Sequence, residues 1–259
     1  MSNTSNRDLA PERQAKIAQM LHHHRVLRVS EICDVIGVSP ASVRRDLADM
    51  ERRGLLTRVH GGAMANENQN EEPLFDDKTG IAAEEKARIA RAALDFIHPD
   101  DTIFLDGGST VLALADLLDQ HGDIAVVTNS LRVASKLSGS GPRVIAVGGE
   151  LRRRSQTFVG SLTRHLIENL HVDTAFMGTI GLSPEDGLTT TDPREALTKE
   201  LIMTRARRVV LLADSSKIGT VSFVEFGSLD AVQVLITDKG ATTRDLEPFE
   251  ERGVSVEQA

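Results

Sequence analysis

The sequence predicts an α/β chain in two parts, a small helical head followed by a larger domain built on a mostly parallel β-sheet. The chain has 259 residues, 40% hydrophobic and 26% charged, which is more than one small module and ordinary for a globular protein. Residues 65–73, ANENQNEEP, have no apolar periodicity. After them, near-continuously apolar runs alternate with helix-like runs, the pattern of a sheet covered on both faces. We therefore divide the chain into a head at 1–64, a solvated linker at 65–75 and a second domain at 76–259.

The head is predicted to contain three helices. Pro11 suits the first position of the first helix. Ser30 is a candidate N-cap for the second helix, which Gly37 would end. Ser39 is the candidate N-cap of the third helix, with Pro40 at its first position. Only the tripeptide GVS separates the second and third helices, a spacing typical of a helix-turn-helix.

The third helix carries the candidate DNA contacts. Its apolar residues at helical spacing, Val43, Leu47 and Met50, form a stripe that would face the core. The N-terminal residues on the other side would then reach base edges in the major groove. The segment LLTRVHGGAM that follows predicts a strand, a glycine turn and a strand, which together would form a wing. The DNA-binding candidates are Ser39, Ala41, Ser42, Arg44, Arg45, Arg58 and His60. An arginine-bearing helix can also be an ordinary solvated surface, so the prediction rests on the whole arrangement.

Charge is distributed unevenly between the two parts. Residues 1–64 hold 10 Lys/Arg and 7 Asp/Glu, a net charge of +3, and the remaining residues hold 20 and 31, a net charge of −11, which together give the −8 of the whole chain. A mildly basic head is able to contact DNA, whereas an acidic body would repel it.

Several classes of protein are disfavoured. No apolar run approaches the roughly 20 residues that span a bilayer, and the polar N-terminal residues contain no apolar signal core. These features, with a single cysteine, predict a cytoplasmic protein without a membrane partner. The three consecutive histidines at 22–24 would point about 100° apart on a helix and could not converge on one ion. We expect no metal and no cofactor.

Polar residues follow the predicted strands of the second domain. The strand TIFL leads into Asp106, Gly107, Gly108, Ser109 and Thr110, and then into an amphipathic helix. Glycine N–H groups, hydroxyls and a helix N-terminus would together favour a phosphate. This segment matches neither a P-loop nor a dinucleotide fingerprint. A plain strand-to-helix connection remains an alternative.

Other strand ends supply further candidates, because open α/β sheets bind ligands at the carboxyl ends of their strands. The side chains of Asp106 and Asp214 could accept bonds from sugar hydroxyls, and Lys217 could meet a phosphate. Ordinary turn or cap chemistry is the alternative for each residue taken singly. The additional candidates at strand ends are Thr128, Asn129, Gly148, Gly149, Asp214 and Lys217.

Both parts resemble one family. The segment RVSEICDVIGVSPASVRRDLADMERRGLLTRVHGGAM is similar to the N-terminal winged helix of DeoR-type bacterial regulators of sugar metabolism, and the resemblance implies Arg44 and Arg45 on operator DNA, with Asp46 and Leu47 structural. The motifs EKARIA, FLDGGST, VVTNS, GGELR, DTAFMG, GLTTTDPREALTKELI and LLADSSKIG resemble the effector domain of that family. The resemblance implies a fold similar to ribose-5-phosphate isomerase and a phosphorylated sugar or related metabolite as the ligand.

The resemblance also adds Asp192, Glu195 and Lys199 to the effector-site candidates. These three residues have a second interpretation from their spacing alone. Asp192 and Glu195 could form a capping box, and Glu195 and Lys199 an i, i+4 pair on the surface of a helix.

Two functions of different classes follow. The first is a sequence-specific DNA-binding regulator, by family habit a repressor of a carbohydrate operon, acting as a homodimer or homotetramer and relieved by a phosphorylated sugar. The second is a phosphosugar isomerase or deaminase with an accessory head, although no catalytic segment is recognisable. Binding of single-stranded nucleic acid is disfavoured, because a chain without Trp or Tyr has few rings on which bases could stack.

Overall fold

The computed structural model describes residues 10–23, 26–53, 55–59, 61–64, 72, 74–139 and 141–259. These fall into two compact units. The first contains the described residues up to 64 together with Asp76–Ala82, and the second contains the described residues of Asn70–Phe75 together with Ala83–Ala259.

Among its described residues up to 64, the first unit has three helices and a small sheet. The helices are α1 (Ala10–His23), α2 (Val29–Ile36) and α3 (Pro40–Arg52), and the strands are β1 (Val26–Arg28), β2 (Thr57–Val59) and β3 (Gly62–Met64). The sheet is antiparallel with the order β1-β3-β2. The buried residues that join these elements are Ile17, Leu21, Leu27, Ile32, Val43, Leu47, Met50, Leu56 and Ala63. The residues from Asp76 onward of a short helix, α4 (Phe75–Thr79), also belong to this unit.

The ends of the helices largely follow the predicted caps. Ser39 caps α3 by accepting a hydrogen bond from the backbone N–H of Ser42, with Pro40 at the first position. Gly37 ends α2 with a φ of +74°, a left-handed conformation that favours glycine. The prediction that Ser30 caps α2 is wrong. The helix begins one residue earlier, at Val29, and its N-cap is Arg28, whose backbone N–H donates to the carboxylate of Glu31 at 2.7 Å.

The second unit is built on a seven-stranded sheet. Its helices are α5 (Ala83–Ala93), α6 (Ser109–Ala115), α7 (Leu131–Lys136), α8 (Ser161–Ile167), α9 (Pro193–Arg205) and α10 (Thr243–Glu251). The sheet strands are β4 (Thr102–Leu105), β5 (Ala125–Thr128), β6 (Arg143–Ala146), β9 (Val172–Met177), β12 (Ala206–Leu212), β14 (Val234–Thr237) and β15 (Ser255–Gln258). Every neighbouring pair is parallel, which confirms the α/β class with a parallel sheet.

The order of the strands reverses next to β4. The sheet runs β15-β14-β12-β9-β4-β5-β6, so the chain builds outward from β4 to β6 on one side and from β9 to β15 on the other. The adjacent strands β4 and β9 therefore flank the point at which the topology switches direction. Open parallel sheets bind ligands in the crevice at such a point, beyond the carboxyl ends of the strands.

Two smaller sheets complete the second unit. The strands β7 (Glu150–Arg152) and β8 (Thr157–Val159) form an antiparallel hairpin. The strands β10 (Gly181–Ser183), β11 (Gly187–Thr190) and β13 (Val224–Gly227) form an antiparallel sheet in that order. Two buried apolar clusters occupy this unit, one containing Phe104, Met177 and Leu211, the other Ile103, Phe176 and Val210. Because neighbouring residues of one strand fall in different clusters, the main sheet is apolar on both faces.

Part of the expected linker is packed into the second unit. Glu72 is 3% exposed and Phe75 is 2% exposed. The backbone N–H of Phe75 donates to the carbonyl of Arg154 at 3.0 Å. These two residues therefore differ from the expectation of a solvated linker across 65–75, because their side chains find partners far along the chain.

Candidate functional site

The exposed side of α3 carries the DNA-binding candidates of the first unit. Val43, Leu47 and Met50 are buried as the periodicity predicts, each 1% exposed or less. Ala41, Arg44 and Arg45 are exposed on the helix, and Ser42 is half-buried. The hydroxyls of Ser39 and Ser42 lie 3.1 Å apart, so the first turn presents linked polar groups.

The arginines of α3 fall into two groups. Arg44 and Arg45 have no hydrogen-bond or ion-pair partner among the residues that the structure describes. At the other end of the helix, Arg52 pairs with Asp49 at 2.8 Å, and Arg53 pairs with Asp77 of the same unit. The guanidinium groups near the start of α3 are thus the ones whose donors remain available to an anionic partner.

Asp46 has a structural role. Its carboxylate is buried and accepts two hydrogen bonds from the guanidinium of Arg13, at 2.9 and 3.2 Å. A paired arrangement of this kind fixes α3 against α1. Asp46 therefore faces the interior of the unit, as the family resemblance implies.

The predicted wing forms a hairpin between β2 and β3. Arg58 is exposed on β2, its backbone N–H donates to the carboxylate of Glu51, and its guanidinium lies 3.9 Å from that carboxylate. This long ion pair is weak, since it is exposed. His60, the other wing candidate, lies outside the described residues.

In the second unit, Asp106 and Lys199 form a buried ion pair at the topological switch point. Asp106 follows β4, and Gly178 follows the neighbouring strand β9. The Asp106 carboxylate accepts from the Gly178 N–H at 3.1 Å and from the ammonium of Lys199. Lys199 also donates to the carbonyl of Gly178 at 3.0 Å and lies 5.1 Å from the ring centroid of Phe226. The ammonium is thereby surrounded by partners on the ends of β4 and β9.

Two opposing effects act on the pKa of Lys199. Burial by itself would lower the pKa, because it disfavours the charged form. The negative charges of the Asp106 and Glu195 carboxylates oppose this effect and raise the pKa above its ordinary value. Lys199 is therefore a cation whose charge is compensated by the site itself.

The alternative interpretation, in which Glu195 and Lys199 form an i, i+4 pair on the surface of a helix, is wrong. Both residues are buried, 5% and 4% exposed. Glu195 instead accepts from the hydroxyl of Thr157 at 3.2 Å and from the hydroxyl of Thr190 at 3.0 Å, and it lies 3.5 Å from Arg152. The sequence spacing is compatible with either outcome, and packing of α9 on the sheets turns this face inward.

Asp192 is the N-cap of α9, but the capping box with Glu195 is not formed, because the Glu195 carboxylate accepts from Thr157 and Thr190 instead. Its carboxylate accepts from the backbone N–H of Arg194 at 2.8 Å and from the guanidinium of Arg152 at 3.1 Å. The hydrogen bond from the Arg194 side chain is the largest cause that holds the pKa of Asp192 well below its ordinary value. Asp192 therefore joins the helix start to Arg152.

The turn after β4 packs tightly on the hairpin. Gly107 is buried, and a Cβ at that position would lie 2.1 Å from the methyl group of Thr157. Gly108 has a φ of +131°, which L side chains rarely adopt. Ser109 is half-buried and Thr110 is 8% exposed, and both begin α6. The glycines are thus required by close approach and by backbone conformation at this turn.

Thr128 and Asn129 follow β5, next to β4. The hydroxyl of Thr128 donates to the carbonyl of Leu105 at 2.6 Å, so it ties the two strand ends together. The amide of Asn129 donates to the carbonyl of Phe158 at 3.0 Å, whereas its Oδ1 is buried and has no hydrogen-bond partner in the described structure. Asn129 therefore retains an acceptor that a ligand hydroxyl could use.

The remaining predicted residues lie on other strand ends. Gly148 and Gly149 follow β6, and the carbonyl of Gly148 accepts from the hydroxyl of Thr163 at 2.9 Å. Asp214 and Lys217 lie in the turn after β12. Burial would raise the pKa of Asp214, but the charge of Lys217 and a hydrogen bond from Ser216 lower it below its ordinary value. The Asp214 turn is a separate charged cluster at the same edge of the sheet.

Sequence reasoning missed Glu72, Arg152 and Thr157. Arg152 lies on β7 and contacts Glu72 at 2.5 Å, Asp192 and Glu195. Lys86, on α5, is also buried, and its charge helps to lower the pKa of Asp214. Arg152 and Lys86 both fall within the motifs GGELR and EKARIA, so the family motifs were the only local signal for them.

Comparison with known proteins identifies the family. Residues 81–239 match the family described as the DeoR C terminal sensor domain, and residues 13–69 match the DeoR-like helix-turn-helix domain. The chain belongs to the DeoR family. Both units of the chain therefore carry a domain of this family, in the order that the sequence predicts.

Named DeoR-type relatives extend over nearly the whole chain. The HTH-type transcriptional regulator GlpR of Haloferax volcanii is 37% identical over 248 residues, 96% of this chain and 97% of GlpR. The lactose phosphotransferase system repressor of Streptococcus mutans is 36% identical over 231 residues, 88% of this chain and 91% of that repressor. Among solved structures, ribose 5-phosphate isomerase A of Methanocaldococcus jannaschii is similar with a TM-score of 0.40 and 15% identity, over 52% of this chain and 54% of the isomerase.

This DeoR-family chain is a DNA-binding transcriptional regulator, since it carries the DeoR-like helix-turn-helix domain and its relatives over nearly the whole chain are named as transcriptional regulators and repressors, not as enzymes. The alternative of a phosphosugar isomerase or deaminase with an accessory head is thereby set aside. Within the described part of the chain, no helix is both long enough and apolar enough to cross a membrane.

Proposed function

We propose that this protein is a repressor that binds the operator of a carbohydrate operon and is released from it by a phosphorylated sugar. The first unit holds the double-stranded operator and the second unit holds the effector. The observation that carries the proposal is the match to the DeoR family in both units, together with relatives named as repressors. The protein would act in the cytoplasm, where its operator lies.

The DNA interface is built from α3 and the wing. Arg44 and Arg45 are exposed and free of partners in the described structure, so a guanidinium there can bind guanine O6 and N7 bidentately. Ala41 can touch a thymine methyl, and the Ser39 and Ser42 hydroxyls can reach bases or phosphates. Arg58 on the wing, and His60 beside it in the sequence motif, would contact phosphates or the minor groove.

The unit that binds DNA is small, so we propose a homodimer or homotetramer. A single head offers few phosphate contacts, and helix-turn-helix proteins typically bind two half-sites with two-fold symmetry. An effector that favours one arrangement of the paired heads would change the match to the operator. Its effect is limited by its differential affinity for the two states.

The effector would bind at the carboxyl ends of β4, β5 and β12. The turn at Gly107–Thr110 supplies N–H groups and hydroxyls for a phosphate, and Lys217 supplies a charge. The free acceptor of Asn129 suits a sugar hydroxyl, and Asp106 and Asp214 offer further carboxylate oxygens. Gly148 borders open space at the end of β6, whereas Gly149 is packed closely, since a Cβ there would lie 1.9 Å from the hydroxyl of Thr163. Lys199 is already paired with Asp106, so its role would be to hold the Asp106 carboxylate in place. Asp192 and Glu195 would in the same way hold the guanidinium of Arg152.

A titration tests the proposal. Fluorescence anisotropy would follow binding of the full chain to DNA from immediately upstream of its own gene, in the presence of a panel of sugar phosphates. We expect tight binding that one sugar phosphate reverses. Binding that no member of the panel reverses would contradict the effector class, and an absence of binding would contradict the operator assignment.

A variant tests the location of the effector site. Ser109→Ala combined with Thr110→Ala removes two hydroxyls from the turn after β4, so we expect unchanged DNA affinity and loss of release by the sugar phosphate. The matched control, Ser138→Ala with Thr243→Ala, removes exposed hydroxyls elsewhere in the same unit and should respond normally. A normal response of the first variant would place the effector site elsewhere.

A further inference from the structure

A short segment that follows the head along the chain is anchored in the second unit. It consists of Glu72, Leu74 and Phe75 among the described residues. Phe75 is 2% exposed, and its N–H donates to the carbonyl of Arg154. The guanidinium of Arg154 donates in turn to the carbonyl of Glu72. The guanidinium of Arg132 lies 5.6 Å from the ring centroid of Phe75. These contacts hold the segment through both backbone and side chain.

The Glu72 carboxylate is the centre of this attachment. It is 3% exposed and accepts from Arg152 at 2.5 Å and from the hydroxyl of Thr191 at 2.9 Å. The same guanidinium of Arg152 forms an ion pair with Asp192 at 3.1 Å and lies 3.5 Å from the carboxylate of Glu195. Three carboxylates therefore share one cation, whose side chain is 10% exposed. Moving any one of them changes the hold of Arg152 on the other two, because a buried ion pair depends on close geometry.

Glu195 extends this cluster to the turn after β4. Its carboxylate accepts from Thr157 at 3.2 Å, and the methyl group of Thr157 packs against Gly107. One helical turn further along α9, Lys199 pairs with Asp106, the residue before Gly107. Two independent sets of contacts therefore run from residues 106 and 107 to α9 and Arg152.

We propose that Glu72 and Arg152 couple the segment after the head to the turn at Asp106–Thr110. When Thr157 or Glu195 is displaced, the guanidinium of Arg152 shifts and its ion pair with Glu72 weakens. The segment that follows the head along the chain is then released from its contacts in the second unit. This inference deepens the proposed function, on which it rests, because it names the residues through which an effector at that turn would act on the head. By linkage, weakening the Glu72 contact must change the turn as well.

Hydrogen exchange of the full chain, without DNA or effector, tests this coupling. Thr157→Val keeps the shape of the side chain but removes the hydroxyl that Glu195 accepts from, and it does not alter the segment itself. We expect Thr157→Val to raise the exchange rate of the Phe75 amide about tenfold, as loss of a hydrogen bond to a charged group would. Glu72→Gln should raise it as much, and the double variant no more than either single variant.

Reference amides and a control variant separate coupling from general destabilisation. Amides of β14 should exchange at the wild-type rate in each variant. Glu168→Gln removes one carboxylate from an exposed ion pair with Arg164 in the same unit. It should leave the exchange rate of the Phe75 amide unchanged. In the reverse direction, Glu72→Gln should raise exchange of the Asp106 amide, which donates to the carbonyl of Phe176 at 3.1 Å.

Two results would overturn the inference. The first is an exchange rate of the Phe75 amide that does not change in a Thr157→Val protein that circular dichroism shows to be folded. The second is additive effects in the double variant, since residues that act through one network are not additive. If Glu72→Gln does not fold, Thr157→Val alone decides the matter. Since the measurement uses neither operator nor effector, failure of the proposed function would leave its outcome interpretable.

Discussion

At the scale of the residue, the second unit depends on charges that are buried in pairs. Lys199 and Asp106 are 4% and 1% exposed, and their side chains bind each other and the ends of β4 and β9. Removing one member of such a pair leaves the other as an uncompensated buried charge, which costs more than the pair itself contributes. The pair is therefore a sensitive point of the candidate site.

This argument predicts the stability of two variants. Lys199→Met should lower the free energy of unfolding by about 3–5 kcal/mol, because the Asp106 carboxylate remains buried without a cation. The double variant Lys199→Met with Asp106→Asn should recover much of that loss. Urea unfolding followed by circular dichroism measures both. Equal losses in the single and double variants would show that packing, rather than charge, is at stake.

The arginines of α3 predict a difference in operator binding. Arg45→Ala should weaken operator binding by about 1–3 kcal/mol if the guanidinium contacts a base. Arg52→Ala is the matched control, because Arg52 is also exposed on α3 but pairs with Asp49 at the other end. Anisotropy titrations of both proteins against the same operator decide the matter. Equal affinity of wild type and Arg45→Ala would remove Arg45 from the interface.

At the scale of the element, the turn between β4 and α6 is held by close contact with the β7–β8 hairpin. Gly107 allows that contact, because any Cβ there would meet the methyl group of Thr157 at 2.1 Å. Neither the backbone of β4 nor the start of α6 can move away freely, since both are continuous with buried elements. The glycine is required by tertiary packing and not by the turn alone.

The close contact predicts rescue of one substitution by another. Gly107→Ala should lower the free energy of unfolding by about 1–3 kcal/mol, the usual effect of overpacking. Thr157→Ser keeps the hydroxyl that bonds Glu195 but removes the methyl group, so Gly107→Ala with Thr157→Ser should regain most of the stability. Chemical denaturation of the four proteins of this cycle measures the coupling. An alanine variant that the serine substitution does not improve would mean that the strain lies elsewhere.

At the scale of the whole molecule, the acidic second unit contains carboxylates whose pKa values are lowered by their partners. The hydrogen bond from the Arg194 side chain lowers the pKa of Asp192. Burial would raise the pKa of Asp214, but the charge of Lys217 and a hydrogen bond from Ser216 lower it. A lowered pKa in the folded state means that the carboxylate stabilises the fold at pH values above the ordinary 3.8. This stabilisation is lost as the pH falls below 3.8 and the folded protein takes up the proton.

The acid limb of the stability curve should therefore change in a variant. Below about pH 4 the free energy of unfolding of the wild type should fall steeply with decreasing pH. Asp214→Asn should be less stable at neutral pH and should show a shallower fall in acid, because it has one fewer linked proton. The exposed Asp230→Asn serves as the control. Parallel acid limbs for wild type and Asp214→Asn, measured by urea unfolding at several pH values, would contradict this prediction.

Local patterns of the sequence determine the elements of this protein. Apolar spacing identified α3, and the caps at Gly37 and Ser39 were confirmed because capping depends on residues within one turn. Apolar runs identified the strands of the parallel sheet, as the run TIFL did for β4 (Thr102–Leu105). Family motifs in the same sequence identified the DNA-binding regulator, and those matches were confirmed in both units.

Only the tertiary structure decided which charges meet. Lys199 pairs with Asp106, 93 positions away, and Arg152 pairs with Glu72, 80 positions away. The spacing of Glu195 and Lys199 suggested an exposed pair, yet both are buried with different partners. Such pairings depend on the order of strands in the sheet, which places β9 beside β4 and the hairpin over the turn at Gly107. Local periodicity carries no information on that order, because it records which face of an element is apolar and not which element covers it.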